Sequence, residues 1–182
     1  MRVISGEFGR RKLIAPKGET TRPTPDRMRE SLFSILGDRV VGAAFTDFYC
    51  GSGAVGIEAL SRGARRCTFI EKDKAALEAL RTNLSTLGVG PRAEVVAKPV
   101  GAVLSQRRWE GIVFVDPPYE SETEYENCLL WLGKSAAELV LVQHDRRLKL
   151  PERVGQLQCS RQLKQGDNWV SFYYLGEDSG TA

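Results

Sequence analysis

The sequence predicts an α/β fold built on a mostly parallel sheet, with an antiparallel hairpin closing its C-terminal end. Three observations predict it. Short apolar runs alternate with stretches of helical spacing along residues 45–142, the order that makes strand–helix–strand units. Residues 111–115, GIVFV, are continuously apolar, as in a strand covered on both faces. Near the end, Gly166-Asp167 lies between two strand-like runs, a tight-turn signal for a hairpin.

The elements follow in order. Residues 2–4 and 12–14 are strand-like and flank the turn-rich SGEFGR, which predicts a small hairpin. Residues 15–24, APKGETTRPT, read as loop. Thr24 is then placed to cap a helix with Pro25 at its first position and Asp26 in its first turn. Met28, Leu32, Ile35 and Leu36 keep helical spacing, and Gly37 stops the helix. Residues 45–50, FTDFYC, form a strand that runs into the glycines Gly51, Gly53 and Gly56. A helix over 54–61 follows and ends at Arg62-Gly63; a second strand, 67–70, is closed by Glu71. Ala76, Leu77, Leu80, Leu84 and Leu87 predict a helix over 74–87, ended by Gly88. A strand over 93–97, a short helix over 100–105 and the strand 111–115 come next. The chain then reads Asp116-Pro117-Pro118-Tyr119, a helix over 122–132, a strand over 139–142, and final strands over 156–163 and 169–175. That makes seven strands in the main sheet. The tail, 177–182, is expected to be disordered.

At 182 residues the chain suits one domain with a small appendage. Residues 1–40 read as a basic N-terminal extension and 41–176 as the main domain. No apolar run approaches the roughly 18 residues of a membrane span, and the first residues lack the apolar core of a signal peptide. The expectation is a soluble cytoplasmic protein. Cys50, Cys67, Cys128 and Cys159 are widely separated with no C-x-x-C pair, so neither a metal site nor a disulfide framework is expected. Net charge is +3, but residues 1–29 hold eight basic side chains against three acidic ones. A basic arm on a nearly neutral body points to a polyanion such as nucleic acid, or simply to a solvated terminus.

Two motifs carry chemistry. The turn from strand to helix at Gly51 lets a ligand approach the backbone and the helix N-terminus, and Glu71 lies 20 residues beyond it, where a carboxylate suits a pair of ribose hydroxyls. Gly51, Gly53 and Gly56 satisfy G-x-G-x-x-G, so this motif alone fits NAD as well as any other nucleotide cofactor. The second motif is Asp116–Tyr119. Its prolines stiffen the turn and remove two donors, leaving the Asp116 carboxylate, the Pro117 carbonyl and a flat tyrosine. Acceptors beside an aromatic face suit a planar base that carries an exocyclic amine. The plainer reading is a β-turn with a packed tyrosine. His144, the single histidine, has no carboxylate pattern around it and reads as a packing or surface residue. Lys164 and Trp169 could line a nucleic-acid face, although strand packing accounts for Trp169.

FYCGSG, the acidic strand end and DPPY together resemble class I S-adenosylmethionine methyltransferases that modify exocyclic amines. RVISGEFGRRKL, RPTPDRMRESLFSIL, GSGAVGIEALSRGA and VFVDPPY are similar to the RsmD family of 16S rRNA guanine-N2 methyltransferases. The resemblance implies a Rossmann-like methyltransferase fold and S-adenosylmethionine as cofactor. It places the methionine end of the cofactor on Asp47 and the Gly51-Ser52-Gly53 backbone, the ribose on Glu71 with Lys72 beside it, and the adenine near the backbone of Val100. It makes Asp116, Pro117 and Tyr119 the catalytic set, with Arg10, Arg11, Lys12, Arg22, Arg27 and Arg29 as phosphate contacts. The implied partner is 16S rRNA within a small ribosomal subunit or an assembly intermediate, met by a monomer. Methylation of adenine or of a protein glutamine, an NAD-dependent oxidoreductase and a non-catalytic RNA-binding module remain competing readings.

Overall fold

The computed structural model describes residues 1–16, 24–118 and 121–176. The elements run α1 (Asp26–Leu36), β1 (Ala44–Phe48), α2 (Ala54–Ser61), β2 (Arg66–Glu71), α3 (Lys74–Leu87), β3 (Ala93–Ala97), α4 (Val100–Val103) and β4 (Glu110–Val115). They continue with α5 (Glu122–Leu132), β5 (Ala136–Asp145), β6 (Arg153–Val154), β7 (Leu157–Gln165) and β8 (Asn168–Leu175). Single 3-10 turns over Gly37–Val40 and Gly90–Arg92 precede β1 and β3.

The strands make one sheet in the order β3-β2-β1-β4-β5-β8-β7-β6. The first five are parallel, and β8 adds antiparallel to β5. The fold class is the one the sequence predicts. The sheet has eight strands rather than seven because the two-residue β6 pairs with the start of β7. The final hairpin turns at Gly166-Asp167, with Gln165 opposite Asn168 and Gly166 at φ +59°.

Alternation along the central strands explains the continuous apolar runs. Ile112 and Phe114 of β4 join the core under α1, α2 and α3; Val113 and Val115 join the core under α4 and α5. Each buried side chain of this kind contributes about 1.5–3 kcal/mol relative to exposure. The first core also takes in Val3, Phe8 and Leu13, so the N-terminal segment packs on the sheet's helices.

The predicted N-terminal hairpin forms: Arg2 and Lys12 pair antiparallel, with Val3 N–H donating to the Arg11 carbonyl at 2.9 Å, Arg10 N–H to the Val3 carbonyl at 2.9 Å and Leu13 N–H to the Met1 carbonyl at 3.1 Å. Glu58 and Ser61 of α2 accept the amides of residues 4, 5 and 8. One local expectation is corrected. Thr24 does not cap α1. The capping position falls on Pro25, and the Thr24 hydroxyl reaches across to Gln143. The predicted tail, 177–182, lies outside the described residues. Among the described residues, no helix is long and apolar enough to cross a membrane.

Candidate active site

The strand order places β1 beside β4, with β2 and β5 running off in opposite directions. Such a switch point opens a crevice beyond the carboxyl ends of the strands. Phe48 stands opposite Val115, so the turn that leaves β1 and the Asp116 loop that leaves β4 emerge side by side. The two sequence motifs, more than 60 residues apart along the chain, share one edge.

In the β1–α2 turn Tyr49, Gly51 and Gly53 all have positive φ, at 58°, 54° and 83°. The glycines differ in what surrounds them. A Cβ on Gly51 would meet nothing within 4 Å, so its backbone faces open space that a ligand could occupy. On Gly53 it would strike Leu80 Cδ1, and on Gly56 it would strike the Phe69 ring and Cys67 Sγ. Those two glycines serve close packing. Ser52 is buried, and its carbonyl accepts from Asn83 Nδ2 at 3.0 Å. Asn83 also exchanges hydrogen bonds with the backbone of Ile14, which ties the turn to the N-terminal segment. The sequence does carry a signal for Asn83: a polar residue at the core-facing spacing Leu80, Asn83, Leu87 on α3.

Three carboxyl groups and one amide define the edge. Asp47 is fully buried and its Oδ2 accepts the Gly56 amide at 2.8 Å. Burial pushes its pKa up to about 7, with the charge of Glu71 adding to the rise. Glu71 accepts three backbone amides: Gly51 at 2.9 Å on one oxygen, Lys72 at 2.8 Å and Asp73 at 2.9 Å on the other. Its orientation is therefore fixed, and the oxygen facing Gly51 keeps acceptor capacity. Asp116 is half-buried; burial and the charge of Asp47 push it up to about 8. Gln143 Nε2 donates to Asp116 Oδ2 at 3.1 Å and opposes that rise.

Helix α5 backs both loops. The Tyr125 hydroxyl donates to the Pro117 carbonyl at 3.4 Å, and the Tyr49 hydroxyl lies 3.5 Å from Cys128 Sγ. Tyr125 and Cys128 are three residues apart, hence on one helical face. The Pro117 carbonyl thus already serves one donor and retains a second lone pair. Lys72 is exposed, while Val100 opens α4 with its side chain in the core. Tyr119 lies outside the described residues.

The basic residues separate into groups. Arg10, Arg11, Lys12 and Arg27 are exposed; Arg22 lies outside the described residues. Arg29 is fully buried, so it does not present its charge to a polyanion in this structure. Its guanidinium donates to the carbonyls of Arg2 and Thr24 and to Asp26 Oδ1, clasping the start of α1 to the N-terminal strand-like segment. Sequence position around a helix start gave no hint of this, because burial depends on residues 2 and 24 meeting it. His144 is also buried, with Nε2 2.8 Å from Ser171 Oγ and Nδ1 2.9 Å from the Asp145 carbonyl. Burial lowers its pKa, and it is a packing residue. Trp169 packs edge-on to His144 and carries Lys164 Nζ 4.1 Å from a ring centroid. A cleft of about 520 Å³ opens at the opposite, amino edge of the sheet, lined by Arg39, Arg65, Glu110 and Glu138 among others, away from all of these groups.

The family described as "Conserved hypothetical protein 95" matches residues 1–174. The chain is 40% identical over 157 residues to the ribosomal RNA small subunit methyltransferase D of Escherichia coli K12, covering 83% of this chain and 78% of that protein. It is 35% identical to the protein of the same name from Haemophilus influenzae, covering 84% and 83%. A solved Escherichia coli structure, yhhF, provisionally named a methyltransferase, superposes with a TM-score of 0.86 at 36% identity, covering 97% of this chain and 98% of that one.

Proposed function

The chain belongs to the conserved hypothetical protein 95 family, the RsmD methyltransferases, and we propose that it methylates the exocyclic N2 amine of a guanine in 16S rRNA with S-adenosylmethionine as cofactor. The observation that carries the reading is the pairing at the carboxyl edge: an open Gly51 turn braced by Asp47 and Glu71, directly beside Asp116.

The residues fit the cofactor. Glu71 has a fixed carboxylate with acceptor capacity for ribose hydroxyls, and Lys72 flanks it. The Gly51 backbone faces open space, and the buried Asp47 carboxyl braces the turn from behind by accepting the Gly56 amide. Ser52 and Gly53 complete the turn that would hold the methionine end, and the backbone at Val100 would meet the adenine side. Bound S-adenosylmethionine supplies an electrophilic methyl group on a cationic sulfur.

Asp116 then does the work on the substrate side. A guanine N2 amine is a weak nucleophile because its lone pair is delocalised into the ring. An N–H donated to Asp116, with a second to the free lone pair of the Pro117 carbonyl, localises the pair and aims it. Orientation and fixed acceptors supply the main part of the rate. In its ionised form the Asp116 carboxylate takes the proton that the amine releases as it gains the methyl group; because burial raises its pKa to about 8, the share of that form grows as pH rises through this range. Tyr119 would stack the base, which must leave its own stack to reach this edge. Arg10, Arg11, Lys12 and Arg27, all exposed, would grip phosphates, with Arg22 as a further candidate. They position the RNA and specify little of its sequence.

The test is methylation of small ribosomal subunits from cells lacking the protein, with the rRNA digested and its nucleosides identified by mass spectrometry. N2-methylguanosine in 16S rRNA is expected, and Asp116→Ala should abolish it while leaving RNA affinity nearly intact. Label in DNA or protein with none in 16S rRNA would reject the reading.

A further inference from the structure

The geometry points to Gln143 as the positioning residue for Asp116, itself held in orientation by Thr24. This rests on the proposed role of Asp116 but is observable without it.

Gln143 lies on β5, one position past Val142, which stands opposite Val115 of β4. Gln143 and Asp116 are therefore neighbours at the carboxyl edge. Gln143 is 2% exposed and Thr24 is 8% exposed. Thr24 Oγ1 donates to Gln143 Oε1 at 3.3 Å, and Gln143 Nε2 donates to Asp116 Oδ2 at 3.1 Å. The three side chains form one chain of hydrogen bonds between groups 119 and 27 residues apart.

A side-chain amide has a donor end and an acceptor end. Thr24 occupies the acceptor end, which turns the donor end toward Asp116. A flipped amide would set its oxygen against the carboxylate. With Oδ2 engaged by Gln143, Oδ1 is the oxygen left for the target amine. A carboxylate in place of Gln143 would add a further acidic group beside Asp116, which burial and then the charge of Asp47 already raise. An aliphatic side chain would leave Oδ2 without its donor.

Other groups near this line act elsewhere. His144 bonds Ser171 and the Asp145 carbonyl, and Glu71 acts on Asp47. Thr24 itself leads straight into α1, whose Ser31 is anchored by Gln165 Nε2 at 2.8 Å. The alignment of Asp116 thus depends on how the segment ahead of α1 is seated.

The experiment uses the full chain as wild type, Gln143→Met, Thr24→Val and the double variant. Protein with 13C-labelled aspartate carboxyls, assigned through Asp116→Asn, is titrated by NMR without any substrate. Single-turnover methyl transfer to small subunits is then followed against pH. Loss of the Gln143 donor should raise the Asp116 midpoint and lower the rate at neutral pH about tenfold, the scale of one hydrogen bond to a charged group. The rate should recover partly at higher pH, with RNA affinity unchanged. Thr24→Val should give the same changes at about a third of the size on the same scale, and the double variant should be no worse than Gln143→Met, since both act through one bond. If Gln143→Met fails to fold, Thr24→Val still carries the titration. An unmoved Asp116 midpoint, or additive losses in the double variant, would overturn the assignment. A moved midpoint in a protein that leaves 16S rRNA unmethylated would uphold the Gln143–Asp116 relation and reject the proposed function instead.

Discussion

Asp47 Oδ2 accepts the amide of Gly56 at 2.8 Å, spanning the glycine turn from the strand before it to the helix after it. One buried carboxyl therefore fastens the end of β1 to the first turn of α2, and its charge acts on Asp116 in the adjacent loop.

That coupling has a consequence for stability. Asp47 is pushed up to about 7 and Asp116 to about 8, both by burial first. An unfolded Asp titrates near about 3.9. Between that value and the folded values, the folded protein keeps protons that the unfolded chain has released. These two groups therefore stabilise fully below about pH 4, and the contribution is lost as pH rises through about 7 to 8. His144, lowered by burial, contributes the opposite slope but is common to wild type and variant. Urea unfolding midpoints across this range should fall less with rising pH in Asp47→Asn than in wild type. Parallel curves would contradict the raised Asp47 pKa.

The three glycines of the turn should separate by experiment. Gly51→Ala is strained by its φ of 54° but meets no neighbour; it should cost about 1–2 kcal/mol of stability and weaken S-adenosylmethionine binding measured by calorimetry. In Gly56→Ala the new methyl would stand 2.6 Å from Cys67 Sγ and run into the Phe69 ring. Overpacking of that kind costs about 1–3 kcal/mol or more. A Gly56→Ala protein with wild-type melting would show that the packing assignment is wrong.

Arg29 and Arg27 should behave oppositely. Arg29→Ala removes three hydrogen-bonded contacts from a fully buried site and should destabilise by about 2 kcal/mol or more. Arg27→Ala, at an exposed position, should leave melting unchanged and flatten the salt dependence of RNA binding. Equal effects of both on RNA binding, with neither affecting stability, would restore Arg29 to the surface set.

Glu58 anchors the N-terminal segment. Its buried carboxylate accepts the amides of Ile4 at 2.7 Å and Ser5 at 3.1 Å, and Arg62 Nε at 2.7 Å. Glu58→Ala strands those donors, at about 1–3 kcal/mol for each one left buried and unpaired. Limited proteolysis should cut within residues 2–16 sooner in the variant than in wild type. Unchanged cleavage would mean that the apolar contacts of Val3, Phe8 and Leu13 hold the segment alone.

The sequence by itself determined most of the secondary structure. Helices over 54–61, 74–87 and 122–132 and the strand over 93–97 begin and end where their spacing and glycines indicated, because period and chain breaks are local properties. It also presented the Gly51 turn and the Asp116 loop as separate motifs. Only the tertiary structure decided that they share an edge, since that follows from β1 pairing with β4. It decided, too, that Gly51 faces open space while Gly56 faces a phenylalanine, that Arg29 is a buried clasp, and that Thr24 holds Gln143 rather than capping a helix. Each of these depends on atoms brought together from distant positions. A side chain's burial and partners are set by the packing of the whole sheet, which no local pattern around residue 29, 56 or 143 encodes.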